Sequence, residues 1–160
     1  MHFTGGSFQP RGETACVKIV QVTRLAVRYA ETDQMGVVHH SHFPVYFEVG
    51  RTEFFEQHLC HYAELERQGL RAPVIEVSYR LHSGARYGDV LVLQTRPEWL
   101  KGLRIEMSYR MTRNLSEGEL IATGFTRHAL LGPDLRPARK ERLGGLYQKV
   151  QEVFGDGSPG

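Results

Sequence analysis

"TRLAVRYAETDQMGVVHHSHFPVYFEVGRTEFFEQHL", residues 23 to 59, changes its apolar period midway. From Thr23 to Ala30, Leu25, Val27 and Tyr29 alternate with Arg24 and Arg28, the period of a strand with one buried face. Farther on, Phe43, Phe47, Gly50 and Phe54 recur at spacings of four, three and four, the stripe of a helix. Ser41 is placed to cap that helix, and Pro44 falls in its first turn, where a missing N–H does no harm. Gly50 costs about 1 kcal/mol relative to alanine inside a helix, so its place in the stripe predicts close approach to another backbone. A helix lying tightly on a sheet supplies that neighbour.

Working outward, "AELERQGLRAP" reads as a short polar helix and a turn. Three sheet-like segments follow. "PVIEVSYRLHS" alternates Val77, Tyr79 and Leu81 with polar and charged partners, "GDVLVLQTRPEW" is a β-rich apolar run, and "LRIEMSYRMTR" alternates Ile105, Met107, Tyr109 and Met111 with Arg104, Glu106, Ser108 and Arg110. "LKG" and "NLSEGE" are turns, and "LIATGFTRHALL" makes a fifth strand. One long helix after the first strand, then a run of antiparallel strands, predicts an α+β domain whose sheet wraps a single central helix. That domain is expected over residues 21–142, after a flexible tail at 1–20. Residues 143–160 are expected to hold a short helix, with Leu146, Val150 and Phe154 four apart, and a disordered end.

At 160 residues and 41% hydrophobic content the chain suits one core. Lys plus Arg number 20 against 18 Asp plus Glu, scattered rather than in runs, so no nucleic-acid footprint is expected. The eight Phe and seven Tyr mostly sit beside aliphatics at strand or helix spacing, which is core packing rather than a stacking surface. Cys16 and Cys60 are too few for a disulfide framework, which makes a cytoplasmic compartment the default. "MHFTGGSFQPRGETA" lacks the apolar stretch of a secretory signal, and no membrane association is expected, since no run reaches the ~18 apolar residues of a membrane span.

The chemistry gathers in the loop between strand and helix. His39, His40 and His42 invite a metal reading, but His39 and His40 are sequence neighbours whose side chains are expected to diverge. No cysteine pair or HExxH accompanies them, though His58 and His61 stand at helical spacing; no metal is expected. Asp33 lies ahead of a helix N-terminus, where unpaired backbone N–H groups favour developing negative charge. An acyl carbonyl held there would be polarised, and Asp33 would activate water or attack the carbon. Gly36 would let the backbone come close to a ligand. On spacing alone the simpler reading is favoured, that Asp33 caps a turn which Gly36 permits.

"VRYAETDQMGVVHHSHFPVYFEVGRTEFF" resembles the signature of the hot-dog fold acyl-CoA thioesterases of the 4-hydroxybenzoyl-CoA thioesterase (YbgC-like) family, and "ARYGDVLVLQT" resembles that family's strand preceded by a Gly-Asp or Asp-Asp pair. The likeness covers roughly residues 23 to 138. It implies hydrolysis of an acyl-CoA or acyl-carrier-protein thioester without metal or bound cofactor, in a homodimer or homotetramer with sites between subunits. By position, the catalytic carboxylate falls on Asp33, the flexible glycine on Gly36 and the N–H that holds the thioester oxygen on His40, while the helix Glu and Arg fall on Glu48 and Arg51. His39 stands where tyrosine or tryptophan is usual, and His42 where asparagine is common. Val38 and His39 are thereby the expected acyl-side contacts.

The remaining acidic and basic residues carry weaker claims. Glu48, three positions before Arg51, reads most simply as its ion-pair partner. Glu31 is taken as surface. "HFP" at 42–44 with Glu56 resembles the catalytic pair of hot-dog hydroxyacyl dehydratases, but without the Pro/Gly-rich segment that follows it there. A non-catalytic acyl-CoA-binding module is the other class in view. For the phosphates of coenzyme A, Arg86 and Lys101 are the first candidates, with Arg110, Arg136, Arg139 and Lys140 also available.

Overall fold

The computed structural model of the chain describes residues 19–67 and 69–155. Most of the expected 1–20 tail, Cys16 and the residues after Gly155 lie outside them. Five strands form one antiparallel sheet in the order β1-β3-β4-β5-β2: β1 Gln21–Ala26, β2 Val74–Leu81, β3 Val90–Lys101, β4 Arg104–Arg113 and β5 Leu120–Ala129. Helix α1, His42–His58, follows β1 and lies across β1 and β3; α2 is Tyr62–Arg67 and α3 Lys140–Phe154. This is the expected α+β arrangement of one long helix held by a sheet.

The α1 stripe packs as its spacing requires. Phe43, Phe47 and Phe54 are buried, each contributing about 1.5–3 kcal/mol of apolar transfer, and Phe47 stacks on Tyr109 of β4 with ring centroids 4.4 Å apart. A Cβ on Gly50 would sit 2.5 Å from Thr95 Oγ1 and 2.6 Å from Leu93 Cδ2. The close approach is therefore real, but the crowding atoms are β3 side chains rather than backbone. Pro44 does stand in the first turn. Ser41 does not cap: its backbone is already helical, its side chain bonds no helix N–H, and its hydroxyl pairs instead with His39 Nδ1 at 2.8 Å.

Two strand expectations are corrected. β1 ends at Ala26, and Tyr29, expected on its buried face, is exposed in a 3₁₀ turn spanning Tyr29–Glu31. The turn wins because the Glu31 carboxylate accepts the Arg28 N–H at 2.8 Å and draws the chain out of the extended form. On β2 the alternation is present but its apolar face is covered only at Tyr79, which packs on Phe43 and Phe47 of α1: Val77 is 43% and Leu81 45% exposed. With α1 lying over β1 and β3, the edge strand β2 has only β5 beside it.

Beneath α1, the hydrogen bonds of His128 order a chain of protons. Its Nδ1 lies 2.9 Å from the Ala72 carbonyl, which can only accept, so Nδ1 carries the proton and Nε2 accepts from Thr126 Oγ1 at 2.8 Å. Tyr109 then donates to Thr126 Oγ1 at 2.7 Å. Burial first, and the nearby Arg51 charge second, push the His128 pKa down to about 4, which keeps the imidazole neutral. At the far end, α3 breaks at Gly144, where φ is 47° and ψ −127°, and buries Leu146, Val150 and Phe154. Its Tyr147 hydroxyl donates to the Gly102 carbonyl of the β3–β4 turn at 2.8 Å.

Candidate active site

The segment between β1 and α1 closes into a small hairpin. Thr32 and Val38 form an antiparallel bridge, Asp33 N–H donates to the Val37 carbonyl at 2.9 Å, and His39 N–H donates to the Glu31 carbonyl at 2.9 Å. At its tip Gly36 N–H returns to the Asp33 carbonyl at 2.9 Å with φ at +73°, which glycine adopts without strain. Nothing lies within 4 Å of a Cβ built there, so space is not what excludes a side chain.

Asp33 is half-buried, and one of its oxygens, Oδ1, accepts the Met35 N–H at 2.8 Å. The turn-capping reading is thus realised, and Oδ2 has no partner among the described residues. Across the hairpin, the His40 N–H donates to no acceptor among the described residues, while its carbonyl accepts from Phe43 N at 3.3 Å and from the Tyr79 hydroxyl at 3.2 Å. Those two bonds anchor the His40 carbonyl just ahead of α1, whose first residue is His42. One short loop therefore presents a carboxylate oxygen and an unspent amide donor at the positive end of a helix.

Sequence reasoning missed the brace behind this loop. Glu31, taken as surface, is 3% exposed. Its carboxylate accepts from the Arg28 N–H at 2.8 Å, from Arg28 Nε at 2.9 Å and from the Tyr46 hydroxyl of α1 at 2.7 Å. Burial raises its pKa, yet the Arg28 backbone bond, the Tyr46 bond and the Arg28 guanidinium outweigh that and hold it below the usual carboxylate range. Burial, and then the Glu31 carboxylate, push the Tyr46 phenol up in turn. The readable signal was Tyr46 itself, a polar tip on the apolar side of α1 that required a buried acceptor.

The other sequence candidates are spread out. Val38 is buried in the core, its N–H donating to the Ala85 carbonyl at 2.8 Å. His39 and His40 are exposed, and their rings do not diverge: centroids stand 4.1 Å apart. Among the described residues no cluster of three or more metal-type ligands forms. Arg86 is exposed on the turn after β2, beside the hairpin, with its N–H on Asp89 Oδ2 at 2.8 Å. Lys101 is exposed at the opposite end of β3, on the order of 30 Å from the hairpin by strand rise. Glu48 and Arg51 approach to 3.9 Å, but Arg51 is buried and Glu48 exposed. His42 and Glu56, fourteen positions apart on α1, are separated by roughly 20 Å of helix and form no joint site.

Comparison with known proteins assigns the class. Residues 27–140 match the thioesterase-like superfamily, and the chain belongs to it. It is 33% identical over 104 residues to the putative acyl-CoA thioesterase YneP of Bacillus subtilis, covering 65% of this chain and 75% of that one. Among solved structures, the hypothetical protein TT1821 from Thermus thermophilus is 39% identical with a TM-score of 0.74, over 84% of this chain and 98% of that one. The DHNA-CoA thioesterase from Staphylococcus aureus is 29% identical with the same TM-score of 0.74, over 88% and 97%. No helix among the described residues is long and apolar enough to cross a membrane.

Proposed function

We propose that this chain hydrolyses acyl-CoA thioesters at the 29–40 hairpin, with Asp33 as the reacting carboxylate and the His40 N–H as the donor to the thioester oxygen. The observation that carries it is the joint presence, on one braced loop, of the free Asp33 Oδ2 and the unpartnered His40 amide. The carbonyl oxygen lies against that amide, near the start of α1, where charge developing on it is stabilised. Asp33 then takes a proton from an attacking water, or attacks the carbon itself to give an anhydride that water opens. Either way the C–S bond breaks, the sulfur leaves as thiolate and gains a proton, and the products are a free acid and a thiol.

Pairing through β2 completes the site in this reading. The strand's outer edge lacks a partner among the described residues, and Val74, Ile75, Val77 and Leu81 stand exposed along it, a surface suited to a second copy. We take the enzyme as a dimer or a dimer of dimers in a reducing, cytoplasmic compartment, in keeping with the free thiol of Cys60. Its acyl donor is coenzyme A, with carrier protein the alternative.

A colorimetric thiol-release assay over a panel of acyl-CoAs tests this. Asp33→Asn should lower turnover by roughly 10²–10⁴-fold, the range for a positioned acid or base, while coenzyme A still binds. Tight coenzyme A binding by the native chain with no turnover of any thioester would make it a binding module instead.

A further inference from the structure

We infer that Glu31, held by Tyr46 and Arg28, is the positioning residue that sets the Asp33 carboxylate against the His40 amide, an inference that rests on the thioesterase reading of the same hairpin. Neither group is fixed by the core. Asp33 is half-buried, and its side chain bonds only the Met35 N–H of its own turn among the described residues; His40 is exposed. The geometry between them must therefore come from the chain that carries them.

That chain has two arms. The return arm is tied to the body of the protein at Val38, which is buried and donates its N–H to the Ala85 carbonyl at 2.8 Å. The outgoing arm carries Asp33, and its tie is Glu31. The Thr32–Val38 bridge and the Asp33 N–H bond to the Val37 carbonyl join the arms to each other, but neither joins the outgoing arm to α1. Glu31 meets three parts of the molecule at once. Its carbonyl accepts the His39 N–H at 2.9 Å, beside the proposed donor at His40. Its carboxylate accepts the Arg28 N–H at 2.8 Å, where the chain has left β1, and the Tyr46 hydroxyl at 2.7 Å, one turn into α1. Asp33 follows two residues later, so a shift of Glu31 is passed directly to it.

Glu31 is not itself the reacting carboxylate. It is buried, and its oxygens already accept three hydrogen bonds, two on Oε2 and one on Oε1 from Arg28 Nε at 2.9 Å. A carboxylate so supplied with donors is a weak base, and burial keeps it from substrate. What it does well is hold position, because bonds to an ionised acceptor are roughly twice as strong as neutral ones. Position matters for rate: a misplacement of about 1 Å at the reacting atoms can cost on the order of 10²-fold.

Thiol-release kinetics on the full chain, read per folded molecule, test this with three variants. Glu31→Ala should lower kcat by roughly 10²-fold and leave KM within about twofold. Glu31→Gln keeps an acceptor for the Arg28 N–H and the Tyr46 hydroxyl, and should restore kcat to within about tenfold of the native value. Tyr46→Phe deletes one bond and leaves the Glu31–Arg28 pair, which covers the case in which Glu31→Ala does not fold; its kcat should fall roughly tenfold. Amide exchange by NMR gives a readout that needs no substrate. In Tyr46→Phe the His39 amide, bonded to Glu31, should exchange at least about tenfold faster, while the Val38 amide, bonded to Ala85, keeps its protection. Variants that reduce only the folded fraction, that raise KM instead of lowering kcat, or that loosen His39 and Val38 alike would each overturn the positioning role. Asp33→Asn separates the two readings. If it abolishes turnover while Glu31→Ala and Tyr46→Phe keep the native kcat, the positioning role fails and the thioesterase reading stands; if Asp33→Asn keeps native turnover, the Asp33 reading fails and the positioning role falls with it.

Discussion

Strands β2 and β4 carry the same alternation and meet opposite fates. On β4, Ile105, Met107, Tyr109 and Met111 are all buried against α1 and its neighbours; on β2, Val77 and Leu81 keep more than two-fifths of their surface. Composition does not separate the two strands. Place in the sheet does: β4 lies at the centre of the order β1-β3-β4-β5-β2, whereas β2 is an edge whose apolar face meets α1 at Tyr79, against Phe43 and Phe47. In the proposed dimer that open apolar face would receive a second copy, so that the centre of the sheet would serve stability and its edge association.

That division is testable, and the central region should give the largest effects on folding. Phe47→Ala removes a fully buried ring stacked on Tyr109, and denaturant unfolding should show a loss of about 3–5 kcal/mol. A loss near zero would mean that the β4 face is no more essential than β2. Next comes pH. The folded-state pKa of His128, about 4, lies below the 6.5 of the model imidazole, so the unfolded chain binds the extra proton between those values. Stability should therefore be complete above pH 6.5 and fall toward pH 4, by up to about 3 kcal/mol from this group at 1.36 kcal/mol per unit. His128→Asn should flatten that part of the native-minus-variant difference; an unchanged slope would show that His128 is not held neutral. Gly50→Ala follows, at about 1–3 kcal/mol, because its Cβ would press on Leu93 and Thr95.

Much of this was legible from residue spacing. The α1 stripe, the β4 alternation and the turn glycine Gly102, at φ 60°, needed only local rules, and each follows from one periodicity. Glu31 was not legible, because its place depends on Tyr46, fifteen residues away and one element later. The exposed face of β2 was equally hidden, since alternation reports that a side is apolar but not whether a helix reaches it. Asp33 and His40 were marked by resemblance and by their place before a helix. What sequence could not supply is that one Asp33 oxygen is already spent on Met35 while the His40 amide is unspent. Lys101 entered the phosphate candidates by charge alone, and the length of β3 separates it from the hairpin.

The smallest effect on folding is expected at β2, and it discriminates best. Val77→Lys adds charge to a side chain that is 43% exposed, so the unfolding free energy of the separated chain should move by no more than about 0.5 kcal/mol. The same lysine, set beside its symmetry mate at a paired edge, would place like charges across the junction and leave them without water. Sedimentation should then show a monomer, and thiol release should fall with it if the site needs both copies. A variant that unfolds like Phe47→Ala would make β2 part of the core and erase the contrast with β4. One that stays folded, associated and active would leave the apolar edge without the partner that its exposure calls for.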